Sequence, residues 1–287
     1  MRLKTLLGDY PVSRALKDGS VRSPLVEFDF ADVKVPHTAF KRVVRDLEFD
    51  VAELSIVTYL LAKAHGKPLV LLPAVMFGRY QHQYLVSTAG LAPKDLEGSR
   101  VAIRSVSVTT VAWIRGILAD DHGVDLGKVK WVTFEDAHVA ECKDPPGTER
   151  AAAGKTPLDM LLAGEVDAAV LADPVPQDPR LKPVIANPEA AAADWKTRKG
   201  GALQINHMVV VRKEMEKVLR EEVFSLLQQS KDKMPKQPGT PDSSPFGIEA
   251  NRKNLEIAID YVHRQGLIPR RFALDELFDD VTRTLGG

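Results

Sequence analysis

A cation, a phenol and an imidazole stand almost side by side at Arg79, Tyr80 and His82. An arginine fork matches a carboxylate through two parallel hydrogen bonds. A histidine changes charge near neutral pH and can move protons. In a regular strand, residues three apart face opposite sides. The Gly78-Arg79 corner removes that constraint and lets Arg79 and His82 face one pocket. The reading is Arg79 as a carboxylate holder and His82 as a proton-transfer group; a surface arginine and a capping histidine are the plain alternative.

Other residues suit the same task. Arg14 follows Asp9 and Tyr10 just after the first strand, and ligands of open α/β sheets bind beyond the carboxyl ends of strands. An Asp9–Arg14 ion pair that steadies the loop is the competing reading. His37 opens a helix after Pro36, and Ser55 and Thr58 open the next one, where hydroxyl and backbone groups donate to anions. Ser105 and Thr109 form a hydroxyl-rich turn at a third helix start, an anion site or simple capping. Glu135, His138 and Glu141 are spaced three apart. On a helix they would share one face and could hold a divalent metal together with His207; solvated triplets of this kind are common. His207 lies in the apolar run Ile205–Val211, either a core histidine or a cleft residue. His65, His122 and His263 sit near helix ends and are expected to face water.

These residues need a scaffold. The chain has 287 residues, 44% of them hydrophobic, enough for one large domain or two lobes of ordinary size with a real core. Lys+Arg and Asp+Glu balance at 39 each, which argues against a nucleic-acid or membrane-surface binder. Cys142 is the single cysteine, so no intrachain disulfide forms. Asp9 and Arg14 interrupt the N-terminal stretch too early for an export signal, and no apolar run spans a bilayer. The expectation is a cytoplasmic protein without membrane insertion.

Strand-like and helical segments alternate from Arg2 to Val75, implying a parallel or mixed sheet with helices on both faces. The stretch Pro68 to Val75 reads as a buried parallel strand, Gln81 to Ser87 as another strand and His37 to Asp46 as an amphipathic helix. Ser55 is expected to cap a helix to Ala64, and Thr109 to His122 to form a helix closed by Gly123. Met234 to Pro245 reads as a mobile loop. Crossings near residues 85–92 and 204–212 divide the chain into lobe 1 (1–88 and 212–287) and an inserted lobe 2 (89–211). That is the topology of two-lobed proteins that close on a ligand by a hinge.

Several stretches then form a familiar ordered set. They are Gly8-Asp9-Tyr10, Arg14-Ala15-Leu16, Arg42-Val43-Val44-Arg45, Glu48-Phe49-Asp50-Val51 and Glu53-Leu54-Ser55. Arg79 with His82, Trp113-Ile114-Arg115-Gly116, Gly164-Glu165-Val166-Asp167-Ala168, Asn206-His207-Met208 and Phe246-Gly247 with Glu249, Asn251 and Arg252 complete it. The set resembles the 4,5-dihydroxyphthalate decarboxylase family. The resemblance implies a two-lobed type II periplasmic-binding-protein-like fold, each lobe a mixed α/β sheet flanked by helices, with a ligand cleft between the lobes. It implies a carboxy-lyase acting on a dihydroxylated aromatic acid without a cofactor or with a divalent metal. In that role Arg79 and Arg14 hold carboxylate, and His82, His207 or His138 handle protons. Asp9, Tyr10, His37, Ser55, Thr58, Ser105, Thr109 and Glu135 complete the expected binding set. Ser105, Val106-Ser107 and the loop Thr133 to His138 depart from the family pattern and bear on the substrate more than on the fold. The alternative is a solute-binding receptor or sensor for a small aromatic acid or oxyanion. The expected partner is a small aromatic carboxylic acid, and a homo-oligomer is compatible with the sequence.

Overall fold

The segment Val51–Ser55 shows why this chain builds a covered sheet. All five of its residues are buried, the pattern of a strand with packing on both faces, where hydrophobicity does not alternate. The computed structural model describes residues 1–235 and 242–286. Its strands are β1 (Arg2–Leu6), β2 (Glu27–Phe30), β3 (Val51–Ser55), β4 (Leu69–Gly78), β5 (Leu85–Ser87), β6 (Arg100–Ile103), β7 (Lys130–Thr133), β8 (Glu149–Arg150), β9 (Ala168–Val170), β10 (Lys182–Pro183) and β11 (Ile205–Arg212). The α-helices are α1 (Arg14–Lys17), α2 (Phe40–Arg45), α3 (Ile56–Ala64), α4 (Thr109–His122), α5 (Pro157–Leu162), α6 (Pro188–Arg198), α7 (Lys217–Asp232) and α8 (Ile248–Arg264).

Two units emerge. The first holds residues 1–79, 205–263 and 268–287, and the second holds 80–204 and 264–267. The first sheet runs β2-β1-β3-β11-β4. Pairing is parallel from β2 through β3, whereas β11 lies antiparallel to both β3 and β4. Its core joins Leu3, Val51, Leu72, Val209, Val223 and Leu227. The second sheet runs β10-β5-β9-β6-β7-β8, parallel from β9 to β8 and antiparallel at β5. Val101, Ile114, Leu118 and Trp131 pack on one side of it, and Val132, Met160 and Leu161 form a further cluster.

The division falls at Arg79/Tyr80 and Gln204/Ile205, not near residues 88 and 212. The reason is hydrogen bonding. β5 is zipped to β9 in the second sheet, and β11 is zipped between β3 and β4 in the first. That insertion also makes β4 an antiparallel strand, where its apolar run had suggested a parallel one. The expected strand Gln81 to Ser87 begins as a 3-10 turn, His82–Tyr84, before β5. The expected helix from His37 splits into a 3-10 turn, Pro36–Ala39, and α2. Helices α3 and α4 fall where capping predicted. The Ser55 hydroxyl accepts from the Thr58 N–H, and Gly123 closes α4 in the left-handed conformation at φ 61°. Part of the loop expected at Met234 to Pro245 lies outside the described residues.

Candidate active site

Glu53 is the residue around which the first unit's site is built. It sits in β3 with no exposed surface. A carboxylate taken out of water costs several kcal/mol unless donors surround it. Three donors do. The backbone N–H of Gly8 and the hydroxyl of Tyr10, at 2.9 Å, both reach it, and Nδ1 of His207 lies 2.8 Å from the same Oε1 that Tyr10 bonds.

Sheet register explains the meeting. His207 on β11 stands opposite Ser55 of β3 and Phe77 of β4, with Val209 opposite Glu53. Residues two apart on a strand share a face, so Glu53, Ser55, His207 and Phe77 line one side. β1 pairs with β3 and delivers the loop Gly8 to Ser13 to the same place. Ser13 pins that loop, its hydroxyl donating to the Gly8 carbonyl at 2.7 Å and accepting from the Tyr10 N–H at 3.1 Å. Gly8 is required by close approach: a Cβ there would lie 2.5 Å from the Tyr10 ring.

Aromatic rings wall the group. Tyr10 stacks on Phe77 with centroids 5.8 Å apart and planes 4° from parallel. Phe40 meets the His207 ring edge-on at 5.1 Å. The Arg79 guanidinium lies over the Phe77 ring, 5.1 Å from its centroid, a cation–π contact.

The donor inventory assigns proton positions. The Gly8 N–H can only donate, and the Tyr10 phenol is held protonated, pushed well above its usual range by burial and by Glu53. Glu53 therefore acts as acceptor on both oxygens, and His207 donates to it from Nδ1. That leaves Nε2 as the His207 nitrogen not bonded to Glu53. The His207 side chain is 13% exposed, against none for Glu53.

The other expected residues fall as follows. Asp9 and Arg14 are exposed, and no ion pair joins them among the described residues. His37 is half-buried in its 3-10 turn. Ser55 and Thr58 are buried and bonded to each other at 2.7 Å as the cap of α3. In the second unit, Ser105 and Ser107 approach to 3.1 Å beside the start of α4. The buried Thr109 hydroxyl there has no hydrogen-bond partner. Glu135 pairs with Arg104, His138 is buried and Glu141 is exposed. The segment 134–142 is not helical, so no common face forms. Among the described residues no group of three His, Cys, Asp or Glu side chains is placed to hold a metal ion.

Arg79 and His82 fall in different units. His82 is buried and edge-on to Trp195, with centroids 6.5 Å apart. His122, expected in water, is half-buried and lines a pocket with His82. Glu53 was not among the expected site residues. Its signal was present: a lone acid inside the apolar run Val51–Val57.

The sheet orders define the class of protein, a type II periplasmic-binding-protein-like α/β fold. In fold the chain is similar to the alkanesulfonate-binding protein SsuA from Xanthomonas axonopodis pv. citri bound to MOPS, with a TM-score of 0.55 at 16% identity over 97% of this chain and 98% of that one. It is likewise similar to protein AF1704 from Archaeoglobus fulgidus, with a TM-score of 0.54 at 16% identity over 93% and 98% of the two chains. In sequence it is similar to the 4,5-dihydroxyphthalate decarboxylase of Comamonas testosteroni, 29% identical over 229 residues, 74% of this chain and 68% of that protein. The enzyme of the same name from Pseudomonas putida is 29% identical over 211 residues, 68% of this chain and 81% of that protein. No family model matches the chain. No helix of the described residues is long and apolar enough to cross a membrane.

Proposed function

We propose that this protein is a cytoplasmic carboxy-lyase that removes one carboxylate from a dihydroxylated aromatic acid of the 4,5-dihydroxyphthalate type. The observation that carries the reading is the buried Glu53 holding Tyr10 and His207. The names of both curated relatives support it.

The chemistry needs one proton moved twice. Nε2 of His207 takes the proton of a ring hydroxyl ortho or para to the departing carboxylate. The electron pair released enters the ring and builds density at the carbon that bears the carboxylate. The imidazolium, held by Glu53, returns the proton to that carbon. The bond to the carboxylate then breaks, its electron pair restoring the aromatic ring and carbon dioxide leaving. Arg79 anchors a substrate carboxylate as a guanidinium fork, and the half-buried Phe77 supplies flat apolar surface for a ring.

The test is carbon dioxide release from 4,5-dihydroxyphthalate and related hydroxybenzoates, with and without chelator. The wild type is expected to release it, and His207→Ala to do so at least about 100-fold more slowly, the usual size of a lost general acid–base group. No release from any ring-hydroxylated acid overturns the reading.

A second reading, a receptor or sensor that binds an anion without chemistry, is favoured by one observation. The start of α4 gathers Ser105, Ser107 and the unpartnered Thr109 hydroxyl at a helix N-terminus, a setting suited to an anion. Tight binding of a ring-hydroxylated acid recovered unreacted would favour it.

A further inference from the structure

His82 is 2% exposed, and neither ring nitrogen has a hydrogen-bond partner. Leaving such a group unsatisfied costs about 1–3 kcal/mol, and here the group lines a pocket. That pocket, about 380 Å³, lies within the second unit, bounded by His82, by Asp120, Asp121 and His122 of the last turn of α4, and by Asp194 and Arg198 of α6. None of these residues belongs to the Glu53 site.

The lining is rich in acceptors. Burial pushes His82 down to about 4, against the pull of Asp121, so at neutral pH the ring is uncharged and one nitrogen accepts. Arg198 is already occupied twice. It bonds both oxygens of Asp121 at 3.0 Å and Asp194 at 2.6 Å, two carboxylates on one guanidinium. Asp120 is held by Lys199 at 3.1 Å and Arg264 at 2.8 Å. Asp120 and Asp121 also sit at the carboxyl end of a 14-residue helix, where backbone carbonyls already concentrate negative potential. An anion would meet the carboxylates, with the pocket's guanidinium saturated. An apolar molecule would leave His82 unsatisfied. A compact cation with several N–H donors satisfies both demands.

We propose that this pocket binds a small primary ammonium compound, whose –NH₃⁺ donates to His82 and to the carboxylates of Asp121 and Asp194. The pocket's residues and those of the Glu53 group belong to different units, and the test does not use the proposed decarboxylation. Methylammonium and tetramethylammonium chlorides are titrated into the full chain by calorimetry. The wild type is expected to bind methylammonium, and tetramethylammonium, a cation without N–H donors, at least about tenfold more weakly, the value of one charge-assisted hydrogen bond. His82→Ala is expected to weaken methylammonium binding about tenfold. Asp194→Asn, at a side chain 64% exposed and so tolerant of substitution, is expected to weaken it at least about threefold. Absence of methylammonium binding by the wild type overturns the proposal. So does equal binding of the two cations, or binding unchanged in Asp194→Asn.

Discussion

At the scale of single residues, Glu53 decides what His207 can do. A carboxylate saturated by three donors fixes the imidazole tautomer and orientation, the part of an acid–base pair that sets its working nitrogen. Glu53→Gln keeps the shape but turns an acceptor-only group into one that also donates. In the carbon dioxide assay kcat is expected to fall by about 10²-fold or more, with KM changed less than about threefold. The pH–rate profile is expected to shift as well, which a merely structural role would not do. His82 makes a different prediction. Its folded value of about 4 lies below the ordinary 6.5 because burial opposes the charged ring, with Asp121 favouring the proton and His122 and Arg198 opposing it. Between those values the unfolded chain binds a proton that the folded chain refuses, so stability rises with pH across about 4 to 6.5. The loss on acidification through that window is on the order of 2–3 kcal/mol. Denaturant titrations at pH 4.5 and 7 should show this slope, and His82→Asn should flatten it.

At the scale of elements, helix ends and strand register carry the design. Helix α4 stops at Gly123 with φ 61°, a conformation that costs a residue with a Cβ roughly 1 kcal/mol. A Cβ at Gly123 would meet nothing within 4 Å, so backbone strain is the whole effect. Gly123→Ala is expected to lower stability by about 1 kcal/mol in urea melts, without steric damage. In the first unit β11 matters most. By inserting antiparallel between β3 and β4 it brings His207 from residue 207 to within 2.8 Å of Glu53. A slip of one residue would turn the His207 side chain to the other face of the sheet.

At the scale of the whole molecule, two units with separate cores share one chain. Leu227 lies in the core of the first, and Leu118 in that of the second, both without exposed surface. Either one changed to Ala should cost about 3 kcal/mol through lost burial and the cavity left behind. Hydrogen exchange is the measurement. Lost amide protection should be largest in the unit that carries the substitution, because local opening follows cooperative units.

Sequence by itself determined the local features: the α/β alternation, the caps of α3 and α4, and the resemblance to the 4,5-dihydroxyphthalate decarboxylases. Capping and periodicity act over a few residues, so they can be read from neighbours. It also named Tyr10, Arg79 and His207 as candidates, Arg79 and His207 from their own surroundings and Tyr10 through the resemblance. Tertiary structure alone decided that Tyr10 and His207 meet, because Glu53, 154 positions from His207, is brought to it by strand pairing. It alone assigned Arg79 and His82 to different units, since the hydrogen bonds of β4 and β5 commit the two sides of that corner to different sheets. It alone buried His82 without a partner, because packing against Trp195 depends on a helix more than a hundred residues away. Which distant backbone pairs with which is set by the free energy of the whole packed sheet, and no short stretch of residues contains it.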